Sequence, residues 1–282
     1  MNIKMKLPEK YINSMKELIG DKELSDYLAS FDKPRQYGLR VNTAKISVED
    51  FLVVSPFKLK PVPWIPNGFY YEEEDKPAKH PYYFAGLYYL QEPSAMTPAC
   101  VLPVEEGECV LDLCAAPGGK TTAAAAYAKN GKVLSMDIAQ EKLARVEENI
   151  EREHLENVEI ACQDATEYME KYEGKADVVI ADLPCSGLGI MGRKNDIKYR
   201  VQQSQIEALV ELQHTILQNA CRYVKPGGTL LYSTCTITPE ENNCQTARFL
   251  QEHKDYKKVE ERQFLQGVDV CDGFYYAVLK RN

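Results

Sequence analysis

The chain has 282 residues, of which 44% are hydrophobic and 27% charged, an ordinary composition for a soluble globular protein. No apolar run approaches the length of a membrane span, so we expect no membrane partner. The length allows one substantial core and a smaller accessory domain. The formal net charge of −8 argues against a broadly basic surface, so a nucleic-acid partner must be bound by local patches.

The cysteines and the amino-terminal segment bear on the cellular compartment. Nine cysteines without any CxxC or Cys/His cluster argue against a disulfide framework and against a zinc site. The start, MNIKMKLPEKYINSMKELIG, lacks the continuous apolar core and the small-residue cleavage site of a secretory signal. We therefore expect reduced thiols, no metal and a cytoplasmic location.

The first hundred residues predict a small domain of mixed structure. An amphipathic helix is expected over about residues 8–19, followed by strands around Tyr37–Val41 and Gly68–Tyr71, with the proline-rich PFKLKPVPWIP between the two strands. We assign residues 1–95 to a small α+β domain. Its aromatic run HPYYFAGLYYL is typical either of core packing, the commoner case, or of a surface that stacks RNA bases.

A glycine-containing turn is the first chemical signal in the rest of the chain. The run LDLCAAPGGKT follows a short apolar strand over 109–113 and opens an alanine-rich helix over 121–129. Gly118 and Gly119 have no Cβ, so the backbone can bend sharply and approach a ligand closely. The helix that follows offers free N–H groups at its start. The strand, turn and helix together predict a ligand cradle.

Further strands and helices alternate after this turn. Strands are expected over 132–136, 158–161, 176–181 and 229–233, with helices over 140–152 and 165–171 and a long helical pattern before the last strand. Repeated β-α units of this length imply a parallel, doubly wound, Rossmann-like sheet with helices on both faces. We assign residues 96–282 to this catalytic domain.

Three carboxylates follow successive strands of this pattern. Asp137 lies eighteen residues beyond Gly119, close to the position of an acidic residue that binds ribose hydroxyls in nucleotide-binding folds. Asp164 is then suited to accept a hydrogen bond from an adenine amino group, although each aspartate is also a candidate helix cap. Neither GxGxxG nor GxxxxGK[ST] occurs, which favours an adenosine ligand without a pyrophosphate. S-adenosylmethionine is the obvious candidate.

Two cysteines follow the last two parallel strands. Cys185 lies in ADLPCSG and Cys235 in LLYSTCT, with a helical crossover between them. Such a crossover returns a parallel strand beside its predecessor, and neighbouring strands lie about 5 Å apart, so both thiols can face one substrate. Free cysteines are also common as small buried hydrophobic residues. The pair predicts a cysteine nucleophile with a cysteine assistant, without telling which thiol attacks.

The blocks LDLCAAPGGKT, ADLPCSG and GGTLLYSTCTITPEEN, in this order, resemble the signature blocks of the Fmu/Sun (RsmB/RsmF-type) family of S-adenosylmethionine-dependent RNA cytosine carbon-5 methyltransferases. LRVN at 39–42, YYLQEPSAM at 88–96 and DGFYYAVLKR resemble further blocks, so the resemblance covers nearly the whole chain. It implies that Cys235 is the nucleophile and that Cys185 assists product release. The residues implied to hold S-adenosylmethionine are Cys114, Ala115, Ala116, Pro117, Gly118, Gly119, Lys120, Asp137, Asp164 and Asp182.

The chemistry explains these residue types. Carbon 5 of cytosine is a poor nucleophile until a thiolate adds to carbon 6, and that thiolate can leave again by elimination. A hydrogen bond to ring nitrogen 3 would speed the addition, a role that Asp182 can fill only if its pKa is raised. The order Asp-Leu-Pro-Cys also differs from the Pro-Pro-aromatic pattern of enzymes that methylate exocyclic amino groups, which favours a carbon target.

Several residues are candidates for RNA contact. The resemblance implies that Gln91 and Glu92 lie near the RNA-facing side, whereas Arg40 and Asn42 are suited either to approach RNA or to brace the domain contact. The run GRKNDIKYR is a candidate phosphate-binding loop, with an ordinary solvated loop as the alternative. Asn195 stands where family members usually have proline. The basic candidates in this run are Arg193, Lys194, Lys198 and Arg200.

The resemblance favours 16S ribosomal RNA as the substrate, with transfer RNA as the alternative. A catalytically silent RNA-binding scaffold is less favoured, because such a protein would be expected to lack one or both cysteines. Many relatives continue into a further RNA-binding domain that this sequence does not show. We therefore expect affinity from the amino-terminal domain, the basic loop or a structured RNA partner, and we expect a monomer whose target base is flipped out of its stack.

Overall fold

The structure is a computed structural model that describes residues 7–193, 197 and 201–282. Within these residues the strands form one four-stranded and one seven-stranded sheet. The predicted fold class is confirmed, because a small amino-terminal domain precedes a parallel-rich, doubly wound sheet. No helix of the described ranges is long and apolar enough to cross a membrane.

The amino-terminal part contains an antiparallel sheet with the strand order β2-β3-β1-β4. Both predicted strands are present with the predicted bounds, and the predicted first helix is longer than expected. It continues to Ser30 past a break at Gly20, whose φ of 78° is a conformation that glycine adopts without penalty. The elements are α1 (Glu9–Ser30), β1 (Tyr37–Val41), α2 (Val48–Val54), β2 (Lys60–Pro61), β3 (Gly68–Tyr71), α3 (Pro81–Phe84) and β4 (Tyr88–Leu90), with short 3₁₀ helices at Glu73–Asp75 and Pro77–Lys79.

The aromatic run of this domain serves mainly as core. Tyr88 is fully buried and packs with Leu39 and Phe51, and Tyr89 is also buried. Phe84 differs, because two thirds of its side chain is exposed. The packing interpretation therefore applies to most of the run, whereas Phe84 faces outward.

The seven-stranded sheet has the order β10-β11-β9-β8-β5-β6-β7. Strands β5 to β9 are parallel, whereas β11 runs antiparallel to β9 and to β10. The elements are α4 (Pro93–Val101), β5 (Cys109–Asp112), α5 (Gly119–Tyr127), β6 (Lys132–Asp137), α6 (Gln140–Glu153), β7 (Val158–Cys162), β8 (Ala176–Asp182), α7 (Gln203–Tyr223), β9 (Val224–Thr234), α8 (Asn243–Glu252), β10 (Tyr256–Phe264) and β11 (Phe274–Arg281), with 3₁₀ helices at Glu170–Tyr172, Leu188–Ile190 and Pro239–Glu241.

The central strands read as continuous apolar runs because helices cover both faces of the sheet. One face packs under α7 and α8, where Leu217 and Phe249 are completely buried. The other face packs under α5, where Ala124 contacts the apolar side chains of β5 and β6. As predicted, β8 and β9 lie side by side, with Asp182 directly opposite Ser233.

The predicted helix over 165–171 is wrong. The segment is a turn followed by a single 3₁₀ turn at Glu170–Tyr172. Asp164 accepts hydrogen bonds from the backbone N–H and hydroxyl of Thr166, at 2.8 and 2.7 Å, which competes with helix formation. Tyr168 also stacks on Tyr223 with ring centroids 5.6 Å apart. Tertiary packing and the aspartate turn together determine this conformation.

The two predicted domains share extensive contacts. The predicted boundary between residues 95 and 96 falls inside α4, whose Met96 is buried against Val62 and Ile65 of the amino-terminal part. Helix α1 packs its Met15 against Met191 and other apolar side chains of the catalytic part. The boundary stays a prediction, and the contacts place the small domain against the carboxyl ends of the parallel strands.

Candidate active site

A cavity of about 340 Å³ lies beyond the carboxyl ends of the parallel strands. This is where ligands bind in open α/β sheets. It brings together the cradle turn, one of the two cysteines and the amino-terminal domain. The predicted site residues that line it are Ala115, Ala116, Pro117, Gly119, Lys120, Asp182, Cys235, Gln91, Glu92 and Arg193. Cys114, Gly118, Asp137, Asp164 and Cys185 do not line it.

The cradle turn is bent at Gly118, which has a φ of 104° and caps α5. The N–H of Gly118 donates to the carbonyl of Ala115 at 2.7 Å and closes the turn. A Cβ on Gly119 would lie 2.8 Å from Nε2 of Gln91, so the end of this amino-terminal side chain packs directly against the turn. Burial raises the pKa of Cys114, which therefore stays a neutral thiol.

Asp137 and Asp164 organise backbone around the cradle. Asp137 is nearly buried and accepts hydrogen bonds from the N–H groups of Ala116 and Ala139, at 3.3 and 3.0 Å. Asp164 holds the turn at Thr166 through one carboxylate oxygen. Both therefore make local turn contacts and not helix caps, because Ala139 is the N-cap of α6 and the segment after Asp164 is a turn. Their contacts with a cofactor stay predictions.

Asp112 is a buried acidic residue that the sequence analysis did not single out. It ends β5 inside the LDLCAAPGGKT run, is fully buried, and accepts a hydrogen bond from the hydroxyl of Thr121 at 2.7 Å. Its second carboxylate oxygen has no hydrogen-bond partner within the described residues. Burial raises the pKa of Asp112 to about 7. An acidic residue at the end of an apolar strand was the signal that could have identified it.

The structure brings the two cysteines together. Their sulfur atoms are 3.3 Å apart, because Cys185 follows β8 and Cys235 follows the neighbouring β9. The hydrogen bond to Cys235, together with burial, raises the pKa of Cys185 well above its ordinary value. Cys185 therefore stays a neutral thiol, while Cys235 borders the cavity.

Asp182 lies beside the cysteines and is anchored by two donors. The ammonium group of Lys120 is 2.5 Å from one carboxylate oxygen, and the hydroxyl of Ser233 donates to the other at 2.6 Å. Because Lys120 also lines the cavity, the site contains a cationic hydrogen-bond donor beside Asp182. The sequence motif places Lys120 only among the predicted cofactor residues, and its pairing with Asp182 depends on the tertiary structure.

The structure buries Arg40 instead of exposing it to RNA. Its guanidinium donates to Oε1 of Gln91 at 3.0 Å, to the carbonyl of Gly119 at 2.9 Å and to the hydroxyl of Thr122 at 3.3 Å. Asn42 is likewise buried and donates to the carbonyl of Gly86. Of the two alternatives that the sequence left open, this geometry supports bracing of the domain contact.

Glu92 and Arg193 connect the cavity wall to the loop before β11. The carboxylate of Glu92 caps α4 and accepts the N–H of Asp272 at 2.8 Å. Arg193 lies 2.5 Å from the carboxylate of Asp272 and donates to the carbonyl of Gln36 at 3.2 Å. Burial and the nearby Glu92 raise the pKa of Asp272 to about 6. Lys194, Lys198 and Arg200, the other predicted phosphate contacts, lie outside the described residues, as does Asn195.

No three His, Cys, Asp or Glu side chains of the described ranges are grouped as a metal ion would require.

Comparison with known proteins gives the family. The model of the 16S rRNA methyltransferase RsmB/F family matches residues 99–280. The model of the N-terminal domain of 16S rRNA methyltransferase RsmF matches residues 7–93. The chain belongs to the RsmB/F methyltransferase family. The resemblance found in the sequence is thereby confirmed.

Individual relatives agree with this RsmB/F assignment. The chain is 31% identical to ribosomal RNA small subunit methyltransferase F of Vibrio cholerae over all of its own length. It is 34% identical to the protein of that name from Erwinia tasmaniensis over 90% of its length. It covers 65% and 55% of these two relatives, less than two thirds of their length.

Solved structures of RsmB/F-like fold cover nearly the whole chain. A methyltransferase homolog protein from Pyrococcus horikoshii superimposes with a TM-score of 0.86 at 27% identity, over 99% of this chain and 96% of that one. NSun6 from the same organism, solved with SFG, gives a TM-score of 0.83 at 22% identity over 97% and 98% of the two chains. The second similarity shows the fold alone.

Proposed function

We propose that this protein is an RNA cytosine-5 methyltransferase that transfers a methyl group from S-adenosylmethionine to carbon 5 of a cytosine in 16S ribosomal RNA. The observation that carries the proposal is the pair of thiols 3.3 Å apart at the edge of a cavity that also contains the cradle turn. Membership of the RsmB/F family and the names of the ribosomal RNA methyltransferase relatives support the RNA substrate.

The cradle residues fit S-adenosylmethionine. Most of the turn over 115–120 lines the cavity, and Gly118 gives its backbone the sharp bend that leads into α5. Asp137 and Asp164 supply carboxylates after the next two strands for ribose hydroxyls and an adenine amino group. When bound, S-adenosylmethionine supplies an electrophilic methyl group. NSun6, solved with the S-adenosylmethionine analogue SFG, supports this assignment through its similar fold.

The cysteines perform covalent catalysis on the base. The thiolate of Cys235 forms a bond to carbon 6, and the displaced electron pair moves toward ring nitrogen 3 and makes carbon 5 nucleophilic. Lys120, which is held in place by Asp182, donates a hydrogen bond to the ring at this stage, since both line the cavity. After methyl transfer, a base from solvent removes the proton on carbon 5, and the sulfur–carbon 6 bond breaks to restore the thiolate and the aromatic ring.

Cys185 supports both the addition step and the release step of this reaction. Its raised pKa keeps its own proton in place at neutral pH. The S–H group therefore donates a hydrogen bond to the sulfur of Cys235, which stabilises the thiolate before addition and again as it leaves carbon 6. Loss of this donor should slow the release step most, because the departing sulfur carries the developing negative charge.

A second cavity next to the first supports the approach of an RNA strand. It has a volume of about 330 Å³ and shares Arg193 and Asp272 with the first cavity. Lys33 and Arg35 also line it, and both are exposed. The two aspartates of this groove are already paired, Asp272 with Arg193 and Asp269 with Arg262. Lys33 and Arg35 therefore give the groove a local positive charge in a chain of net charge −8.

The cysteine assignment is tested with single alanine variants and methyl-labelled S-adenosylmethionine on small-subunit RNA. Cys235→Ala should abolish methyl transfer while calorimetry shows unchanged cofactor affinity. Cys185→Ala should accumulate a covalent RNA-protein adduct, visible as a slow band on a denaturing gel. Cys244→Ala, an exposed cysteine on α8, is the matched control and should behave as wild type. If Cys185→Ala gives neither adduct nor activity, the two roles are exchanged; turnover by Cys235→Ala would overturn the mechanism.

The substrate is tested by bisulfite sequencing of ribosomal and transfer RNA from cells with and without the gene. We expect one cytosine of 16S ribosomal RNA to lose protection when the gene is absent. Loss of protection in transfer RNA instead would move the assignment to the alternative substrate. No change in either pool would contradict the proposed activity on these RNAs.

A further inference from the structure

A buried carboxylate lies directly behind the two cysteines. Glu241 is fully buried and accepts four hydrogen bonds. Its donors are the backbone N–H of Ser186 at 2.8 Å, the hydroxyl of Ser186 at 2.5 Å, the hydroxyl of Thr238 at 2.7 Å and the amide of Gln213 at 3.1 Å. Every oxygen of the carboxylate is therefore satisfied, as a buried charge requires.

These contacts connect the two segments that carry the cysteines. Ser186 directly follows Cys185, and its hydroxyl also bonds the hydroxyl of Thr236, at 2.7 Å, which directly follows Cys235. Gln213 adds a second connection on the Cys185 side, because its amide donates to the carbonyl of Pro184 at 2.9 Å. One carboxylate thus holds the residues on both sides of Cys185 and reaches the neighbour of Cys235.

The next residue along the chain holds the other segment. The hydroxyl of Thr234 donates to the side-chain oxygen of Asn242 at 2.6 Å. The amide of Asn242 donates to the carbonyl of Thr236 at 3.1 Å. Cys235 therefore lies between two residues that are both bonded to the buried Asn242. Glu241 and Asn242 together restrain both cysteine segments from beneath the cavity.

We propose that Glu241 is a positioning residue that holds the Cys185 and Cys235 thiols in hydrogen-bond contact. A buried polar network in which every group is satisfied is rigid, and catalytic groups need such support because misplacement by about 1 Å can cost about 100-fold in rate. Glu241 lies beneath the cavity wall, not in it, so it acts through the cysteines and not on the base. Its importance for catalysis rests on the function proposed above.

The distance between the thiols can be read without any RNA. Diamide oxidises a close thiol pair to a disulfide, with two electrons and two protons passing to diamide, and peptide mass spectrometry measures the rate for Cys185 and Cys235. Glu241→Ala and Ser186→Ala should slow this oxidation by about tenfold, because the loss of the hydrogen bonds lets the two segments separate. Glu241→Gln should restore the wild-type rate, because its amide oxygen still accepts from Ser186 and Gln213 while its NH₂ can donate to hydroxyl oxygens.

Asn157→Ala is the matched control, because it removes two side chain–backbone hydrogen bonds at the opposite end of the sheet. It should lose about as much thermal stability as Glu241→Ala and should leave the oxidation rate unchanged. In methyl-transfer assays, Ser186→Ala and Glu241→Ala should lower kcat by about 10- to 100-fold with unchanged cofactor affinity, and Glu241→Gln should recover it.

The inference is overturned if folded Ser186→Ala or Glu241→Ala oxidises at the wild-type rate or faster, or if Glu241→Gln fails to restore the rate. It is also overturned if Asn157→Ala slows oxidation equally, because the effect would then be one of general stability. Absence of methyl transfer by the wild type would contradict the proposed function alone, since the oxidation rate does not depend on it.

Discussion

At the scale of single residues, burial decides the behaviour of the acidic groups around the site. Asp112 has no exposure to water, whereas Asp182 is partly exposed and has an ammonium group as a neighbour. Burial raises the pKa of Asp112 from 3.8 to about 7, although its hydrogen bond from Thr121 acts in the opposite direction. The folded protein therefore binds a proton that the unfolded chain releases near pH 4.

This pKa gives a stability prediction with a definite sign. Between about pH 4 and pH 7 the folded state holds more protons than the unfolded chain, so stability should fall as pH rises, by up to about 1.4 kcal/mol per pH unit for this group. Asp112→Asn cannot titrate and should remove that fall. Urea unfolding at pH 5, 6, 7 and 8 measures it, with Asp32→Asn, an exposed aspartate, as the control. A constant difference between wild type and Asp112→Asn across this range would contradict the raised pKa.

At the scale of structural elements, the two cysteine segments meet the loop before β11 at Gly189. Gly189, in the 3₁₀ turn after Cys185, donates its N–H to the carbonyl of Cys235 at 3.1 Å. Its carbonyl accepts the N–H of Gly273 at 2.9 Å. A Cβ on Gly189 would lie 2.1 Å from the carbonyl oxygen of Gly273 and 2.8 Å from that of Cys235. Both neighbours are backbone atoms, so neither can move aside without shifting its element.

Gly189→Ala should therefore displace the Cys235 segment. We expect it to cost about 1–3 kcal/mol of stability through overpacking and to reduce methyl transfer more than cofactor binding. Gly174→Ala is the control, because Gly174 has a φ of 60° but open space around it. It should cost about 1–2 kcal/mol through backbone strain and leave methyl transfer unchanged. Denaturant unfolding and single-turnover rates distinguish the two, and equal effects of the two variants on methyl transfer would contradict this account.

At the scale of the whole molecule, the amino-terminal domain supports the cradle turn directly. Arg40 of β1 reaches the carbonyl of Gly119 in the cradle turn, and Gln91 fills the space beside the same glycine. Arg40 also donates to Gln91 and so links the two contacts. The small domain therefore completes the wall of the cavity, and its docking should affect the affinity for S-adenosylmethionine.

Arg40→Met keeps much of the side-chain volume and removes the hydrogen bonds. It should weaken S-adenosylmethionine binding by about tenfold, because hydrogen bonds from a charged group are each worth about 1.5–3 kcal/mol. The salt dependence of RNA binding should stay unchanged, whereas loss of a phosphate contact would reduce that slope by about 0.7. Calorimetry and RNA titration at several salt concentrations separate these outcomes, with Lys257→Met on the exposed face of β10 as the control. A reduced salt slope would restore the RNA-contact interpretation of Arg40.

Local sequence patterns by themselves determined the parallel sheet, the cradle turn and the adjacency of the two cysteines. The sheet and the turn depend on features that lie close together in the chain, namely apolar strands and a paired glycine. The cysteines are 50 residues apart, and their adjacency follows from the topological rule for a helical crossover between parallel strands. The family follows from the same runs, because LDLCAAPGGKT, ADLPCSG and GGTLLYSTCTITPEEN are continuous. Even here the helix predicted over 165–171 was wrong, because a local aspartate turn and the stacking on Tyr223 outweigh helix propensity.

Only the tertiary structure decided what the polar side chains contact. Glu241 lies 55 residues from Ser186 and Arg40 lies 79 residues from Gly119, so no local pattern could pair them. The same holds for Lys120 and Asp182, which are 62 residues apart. The physical reason is that hydrogen bonds and burial depend on distances in space, and folding sets these distances through the packing of a whole core. Sequence motifs thus identify the two candidate thiols, while the fold supplies the buried groups that are hydrogen-bonded to the segments around them.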